Sequence, residues 1–325
     1  MRILFFLFSC LGFIGLVAST KKPKPQPQLF CEGIISTTDD EFGITFTPDE
    51  QTCFFAKKTA STITSSVIVI CSSHFKNGHW QQPVIAPFSG RYKDFNPFIS
   101  PDGSKLFFIS NRPSAAKRSR DTDIWYVEKK DSGWSTPVNI GVPINTSGWE
   151  LSCSVSANGN LYFSAIRENG NPDIYFAACV NGKYSEPVKL DSSINSDANE
   201  SDPFIAPDES YLIFSSLGRT DALHGDGADS YPRSDLYISF RKDGKWLPAE
   251  HLDETINSIA EESNPYVSPL SNTLFFTSER NFITYPMKEK LTYSLLEKNL
   301  HSIKNGLGNI YSIPFKNIRE LNTGK

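Results

Sequence analysis

Five acidic residues, Glu41, Asp94, Glu150, Glu200 and Glu262, each stand seven positions before a turn of the Pro-Asp-Gly type or a variant of it. Arginines recur after the apolar run that follows these turns, as Arg112, Arg167, Arg219 and Arg280. Asp123, Asp173, Asp235 and Asn309 open the next run. Carboxylates and guanidinium groups at this spacing can do two kinds of work. In an open mouth they bind polar ligands, or hydrolyse glycosides if one acid has a raised pKa and a second lies at a set distance. Glu150, beside Trp149, and Glu200 are then the candidate catalytic pair. Out of water the same groups make an ion-paired clip, because buried charge persists only when paired and the arginine fork fits a carboxylate. Recurrence in every copy favours the clip, since catalysis calls for asymmetry. As a binding set, the five acids, the four arginines and Trp149 would share one face.

Asymmetry enters with two loops. Leu217 to Ser234 carries Asp221, Asp226 and Asp229, oxygen donors of the kind Ca²⁺ takes, at a spacing unlike a helix-loop-helix calcium loop. A plain polar loop is the favoured reading, so no cofactor is expected. Asn281 to Gly308 carries Leu291, Leu295, Leu296, Leu300 and Ile303, which predict a short helical insertion over about 286–306, acting as a lid or buttress. The five histidines have no metal-ligand spacing, and there is no nucleophile elbow or phosphate loop.

The elements that must position these residues come from an internal repeat. Turn markers at 48, 101, 157, 207 and 269 lie 53, 56, 50 and 62 residues apart. That period suits one four-stranded sheet per copy. Runs such as Leu106-Phe107-Phe108-Ile109 and Leu212-Ile213-Phe214-Ser215 are short and apolar between turn residues, which is how strands read. The expected fold is all-β, a five-bladed β-propeller. Its last copy lacks a fourth strand. Asn145, Asn195 and Asn257 each stand five residues before an acid, and Ser36 stands five before Glu41. The segment from Leu29 to Ser36 is therefore expected to pair into the last sheet and close the ring, removing the open edges.

The motif Pro101-Asp102-Gly103, Phe107-Phe108-Ile109-Ser110-Asn111-Arg112, Asp123-Ile124-Trp125 resembles the TolB-like Pro-Asp-Gly (WD-like) propeller repeats of bacterial envelope proteins. The resemblance covers about residues 29 to 313. Ala157-Asn158 and Lys57-Lys58 depart from the pattern. The family implies an envelope or secreted protein that binds partners, and no one ligand.

Arg2 and the apolar run Ile3 to Ala18 read as a signal peptide over 1–19, followed by a Pro/Lys-rich tether over 20–28 and a single propeller domain over 29–325. The mature chain is then extracytoplasmic, periplasmic or secreted, with no membrane span. A net charge of -4 without a basic stripe argues against nucleic acid. Cys31, Cys53, Cys71, Cys153 and Cys179 remain in the mature chain, and Cys53 could face Cys71 across a hairpin. These features favour a non-enzymatic exported scaffold for a protein or peptide. The alternatives are a carbohydrate-active enzyme and a calcium-dependent adhesin.

Overall fold

A computed structural model describes residues 25–59, 66–114, 121–167, 170–223, 233–283, 287 and 289–316. The segment read as a signal peptide and the first part of the expected tether lie outside the described residues. Five antiparallel meanders make five blades. Their strands a, b and c are Asp40–Phe46, Thr52–Lys58 and Ile68–Lys76 in blade 1, and Asp94–Ile99, Lys105–Ser110 and Asp123–Lys130 in blade 2. They are Trp149–Val155, Leu161–Ile166 and Pro172–Ala177 in blade 3, then Asn199–Ile205, Tyr211–Leu217 and Ser234–Lys242 in blade 4. Blade 5 has Glu262–Ser268, Thr273–Ser278 and Asn309–Pro314. The chain is a five-bladed β-propeller.

The outermost strands of blades 1 to 4 are each split into two short pieces, such as His79–Trp80 and Val84–Ile85, or Lys245–Trp246 and Glu250–His251. Pro83, Pro137, Pro187 and Pro248 stand at the splits. Proline has no N–H to offer a ladder and is tolerated at an edge. The aromatic residue before each split reaches the preceding blade. Trp134 meets Phe54 at 5.8 Å between ring centroids, and Trp246 meets Tyr162 at 6.2 Å.

Blade 5 takes its outer strand from the N-terminus. Gln28 lies opposite Ser312 and Leu29 opposite Tyr311, and the Phe30 N–H donates to the Ile310 carbonyl at 2.8 Å. The donated strand expected over Leu29 to Ser36 is thus present but shorter, pairing at Gln28 and Leu29, and the chain from Cys31 to Ser36 turns toward blade 1. Phe30 then wedges against Trp80 and Phe46 of blade 1 and Phe275 of blade 5, at 5.0–5.8 Å.

The axis is filled. Phe98, Phe204 and Tyr266 converge from three innermost strands with centroids 5.4–6.3 Å apart, and Phe46 joins them from a fourth. Above them a cavity of about 30 Å³ remains, room for about one water.

The turns between strands a and b show one position solved in two ways. Gly103 has φ +72°, and a Cβ there would sit 2.9 Å from Pro48 Cδ of the neighbouring blade. Glu50 and Glu209 occupy the same turn position at φ 52° and 59°, a region a Cβ disfavours. Their carboxylates offset that by crossing between blades. Glu209 accepts from Asn160 of blade 3 at 2.7 Å and, within its own blade, from Arg241 at 2.5 Å, and Glu50 accepts from the Ser271 N–H at 3.0 Å and from the Ser268 hydroxyl of blade 5.

One expectation needs correction. Cys53 lies opposite Ser73 and Cys71 opposite Phe55, so the two thiols are offset by one pleat repeat rather than facing, and all five described cysteines are free. The insertion in blade 5 carries a short helix, Tyr293–Leu300, capped by Thr292, whose hydroxyl accepts from the Leu295 N–H. Its apolar side is half covered. Leu295 and Leu296 are half-buried, and Leu300 is exposed.

Because Phe30 is half-buried, Phe30→Ala is expected to cost about 2–3 kcal/mol, below the range for a fully buried ring. Urea denaturation with a single transition at a lower midpoint is the expected record. An unchanged midpoint would show that the N-terminal strand does not hold the ring closed.

Candidate functional site

The five repeated acids begin the innermost strands, and each is 0% exposed. They do not line an open channel. Each carboxylate is held by the linker that delivers its strand. Thr37 donates to Glu41 through N–H and hydroxyl at 2.9 and 2.5 Å, and Ser196 does the same for Glu200 at 3.1 and 2.6 Å. Ser258 and Glu262 repeat this at 2.9 and 2.7 Å, and Thr146 and Glu150 at 3.3 and 3.2 Å. Asp94 takes Ser89 at 2.8 Å instead.

The residue just before that Ser or Thr grips the preceding blade. The Asn145 amide accepts from the Ile124 N–H at 2.9 Å and donates to the Ile124 carbonyl at 3.0 Å, replacing a strand at that point. Asn195 does this to Ile174 and Asn257 to Leu236. Ser36 does it to Ile310 across the ring closure, at 3.0 and 3.2 Å. In blade 1 the Ser89 hydroxyl accepts from the Ile70 N–H. Residues five and four before Glu41, Glu150, Glu200 and Glu262 thus form a joint, one gripping the blade behind and the other the blade ahead, and before Asp94 Ser89 alone does both.

The arginines complete it. Arg112 meets Asp94 at 2.6 Å, Arg219 meets Glu200 at 3.1 Å and Arg280 lies 3.4 Å from Glu262. Lys57 serves Glu41 at 3.1 Å. Each guanidinium also donates to the carbonyl six residues before its acid, Phe88, Ile144, Ile194 or Ile256. Arg167 and its counterparts lie over aromatic rings of strands b and c, as Arg219 does over Phe214 and Tyr237 at 5.3 and 4.6 Å. Burial pushes Glu262 above the usual carboxylate range, against the pull of Arg280 and two serine hydroxyls. The arrangement has the form of a clip. Glu150 and Glu200 lie inside it without exposed surface, so neither can meet a glycan without local opening.

Two positions after each acid, the backbone bulges toward the axis. Asn96, Asp202 and Asn264 adopt φ 48–51° and Gly43 φ 61° there, where Asn, Asp and Gly are the favoured types. Asn264 donates to Asn96 Oδ1 at 3.0 Å, and Ser215 donates to Asp202 at 3.0 Å. Burial raises the Asp202 pKa. This polar ring caps the axial aromatics.

The blades stop resembling each other one position before the acid. There strand a and strand b bring together Asp40 with Lys58, Lys93 with Asn111, Trp149 with Ile166, Asn199 with Leu217 and Glu261 with Glu279. Trp149 is 47% exposed, so the one mouth residue read as aromatic does face solvent. Asp40 and Lys58 are an ion pair at 3.3 Å. Glu279 lies opposite Glu261, with its N–H donating to the Glu261 carbonyl at 3.0 Å. Like charges across a strand pair are unfavourable. Burial, then Glu261 and Asp40, push the Glu279 carboxyl up to about 7, with Arg233 and Lys58 opposing. Glu279 lines a cavity of about 710 Å³ together with Arg233, Ile259, Phe282, Ile283 and Lys304. Sequence reasoning passed over Glu261 and Glu279 because each is the neighbour of a motif residue. The available signal was their difference from copy to copy.

Asp221 accepts from the Tyr237 hydroxyl at 2.8 Å, while Asp226 and Asp229 lie outside the described residues. Among the described residues no three His, Cys, Asp or Glu side chains are placed to hold a metal ion. Asp123, Asp173 and Asp235 are met by Asn139, Lys189 and His251 of the outer strands at 2.6–2.9 Å. No helix of the described residues is long and apolar enough to cross a membrane.

No family model and no curated protein matches the chain. Among solved structures it is similar to a TolB candidate from Agrobacterium tumefaciens, at 16% identity and TM-score 0.48, over 77% of this chain and 73% of that one. It is also similar to the catalytic domain of a GH62 α-L-arabinofuranosidase from Coprinopsis cinerea, at 12% identity and TM-score 0.47, over 88% and 96%. An α-L-arabinofuranosidase from Podospora anserina gives 11% and 0.45, over 90% and 94%. Likenesses this distant leave the activity to be argued from the site.

Two outcomes test the site. Arg219→Ala leaves Glu200 buried without its cation, and unfolding free energy is expected to fall by about 3–5 kcal/mol; a change under about 1 kcal/mol in urea titration would remove the clip from the account. Glu279 carries the pH signature. Its carboxyl titrates near 4.5 when unfolded and at about 7 when folded. Between those values the unfolded chain is ionised and the folded chain protonated, so rising pH disfavours the fold. Glu279→Gln is therefore expected to gain stability relative to wild type from pH 5 to 8, and parallel pH–Tm curves would contradict the raised pKa.

Proposed function

We propose that the chain is a non-catalytic binding scaffold, exported from the cytoplasm, that takes a protein or peptide on the face carrying the b–c loops. One observation carries the reading. The acids repeated in every blade are enclosed by the joints, and side-chain variety begins one position further out, on the face that holds Trp149, the Glu261–Glu279 pair and the cavity beside Phe282. Loops on a rigid ring are where binding surfaces diverge. Export is supported by the apolar run after Arg2.

The carbohydrate-active alternative loses its first candidates, since Glu150 and Glu200 have no exposed surface. Site-specific photo-crosslinking in the native host tests the scaffold reading. A photoreactive residue at Trp149 is expected to yield discrete polypeptide adducts, while one at Asp102, on the opposite face, yields none. Absence of adducts at Trp149, or hydrolysis of a glycan panel by the purified chain, would overturn it.

A further inference from the structure

The cavity of about 710 Å³ lies between the end of strand b in blade 5, the start of strand c in blade 4 and the inserted segment of blade 5. Its wall combines three chemistries. Arg233 and Lys304 supply cationic groups. Ile259, Phe282 and Ile283 supply apolar surface, and Ile259 and Phe282 are 45% and 40% exposed. Glu279 supplies a carboxyl opposite Glu261. Arg280 also borders the cavity, but its guanidinium is committed to Glu262 and the Ile256 carbonyl.

From this geometry we infer that the cavity captures the free C-terminal end of a peptide whose last residue is apolar. The terminal carboxylate goes to Arg233 and Lys304, and the last side chain lies on Phe282 and Ile259. The inference rests on the scaffold reading and names its ligand. Arginine and carboxylate form short, charge-assisted pairs, and capture of a chain end is a recurring recognition mode. A volume of this order holds about one or two residues of a peptide, by comparison with ordinary ligand pockets of roughly 300–1,000 Å³.

Glu279 sets how strongly cationic the wall is. The groups that face it are Glu261 on its own sheet, Asp40 and Lys58 from blade 1 and Arg233 from blade 4. Its pKa of about 7 leaves it largely protonated in mildly acid solution. The wall is then net cationic, and the neutral carboxyl can donate to an incoming carboxylate. An anion thus binds better below pH 7 than above it. An amine would show the reverse, because it needs Glu279 ionised.

The test uses the purified mature chain and fluorescent hexapeptides ending in Leu or Phe, each with a free carboxylate or a C-terminal amide. Expected results are binding of the free acids at least tenfold tighter than the amides, and tighter at pH 6 than at pH 8. Arg233→Ala is expected to weaken the acids about tenfold without affecting the amides. Glu279→Gln is expected to remove the pH dependence while keeping the low-pH affinity. Equal binding of acid and amide, no binding of either at millimolar concentration, or tighter binding at pH 8 would each overturn the inference. Failure here with adducts still formed at Trp149 would leave the scaffold reading standing, whereas loss of those adducts would remove both.

Discussion

A carboxylate buried at the start of each innermost strand is the constraint from which the rest of the ring follows. An ionised group without exposed surface must have its oxygens met, because leaving one unpaired costs more than any single contact in the blade gains. Here the donors come from separate pieces of chain. The linker supplies a Ser or Thr, strand b in several blades a serine such as Ser110, Ser216 or Ser278, and the residues just after strand b a cation such as Arg219. Meeting the charge therefore brings linker, strand a and strand b to fixed places. The adjoining Asn or Ser, gripping the previous blade, then sets the position of one sheet against the next. The ring closes by the same chemistry, with Ser36 on Ile310 and Thr37 on Glu41. The break in the chain falls inside blade 5, between Asn309–Pro314 and the outer strand supplied by the N-terminus, so that outer strand is held in its sheet only by noncovalent contacts. The Gln28–Leu29 pairing and the packing of Phe30 supply there what a covalent turn supplies in the other blades.

Much of this was legible in the residues. Five copies, their strand order and the donated N-terminal strand follow from the period of the turn markers and from the constant five-residue gap between Asn145, Asn195, Asn257 or Ser36 and the next acid. Such features repeat, and repetition is what a single sequence can display. The direction of the carboxylates was harder to read. Strand alternation places the acid on the innermost strand, but the bulge just after it, marked by Asn96, Asp202 and Asn264 at positive φ, turns the chain so that the acid faces the linker and the next residues cap the axis. A bulge shifts register by one, and one residue decides which face a side chain takes. The motif acid-x-Asn/Asp-Pro, present in three copies, was the overlooked sign of it.

Cys53 and Cys71 show the same limit. Their place on neighbouring strands was readable, yet their facing depended on where the Thr52–Lys58 and Ile68–Lys76 pairing begins, which the loop between them sets. The inserted helix shows another. Leu291, Leu295, Leu296 and Leu300 have helical spacing, but periodicity says only that a helix has an apolar side. Whether that side is covered depends on the surface beneath, and here Leu300 stays exposed although it borders a cavity with Val67, Val69 and Ile85 of blade 1.

Conservation of form within the ring and variety on its face follow from one division of labour. The interior positions obey the geometry of a closed five-fold array, so acid, cation, aromatic and amide recur with small substitutions such as Lys57 for arginine or Ser36 for asparagine. One position further out that geometry makes no demand, and a conflict there is informative. Glu261 opposite Glu279 violates the preference for unlike charges across a strand pair, and among the described residues no cation forms an ion pair with Glu279 comparable to Lys58 beside Asp40. Rules broken locally in an otherwise consistent structure tend to sit where function is carried. In blades 2 and 3 the same positions hold Lys93 with Asn111 and Trp149 with Ile166, which are compatible with both the strand pair and solvent. The strain is thus confined to the blade that also carries the insertion and the cavity, and it is this coincidence, rather than the five-fold ring of acids, on which the proposed peptide site rests.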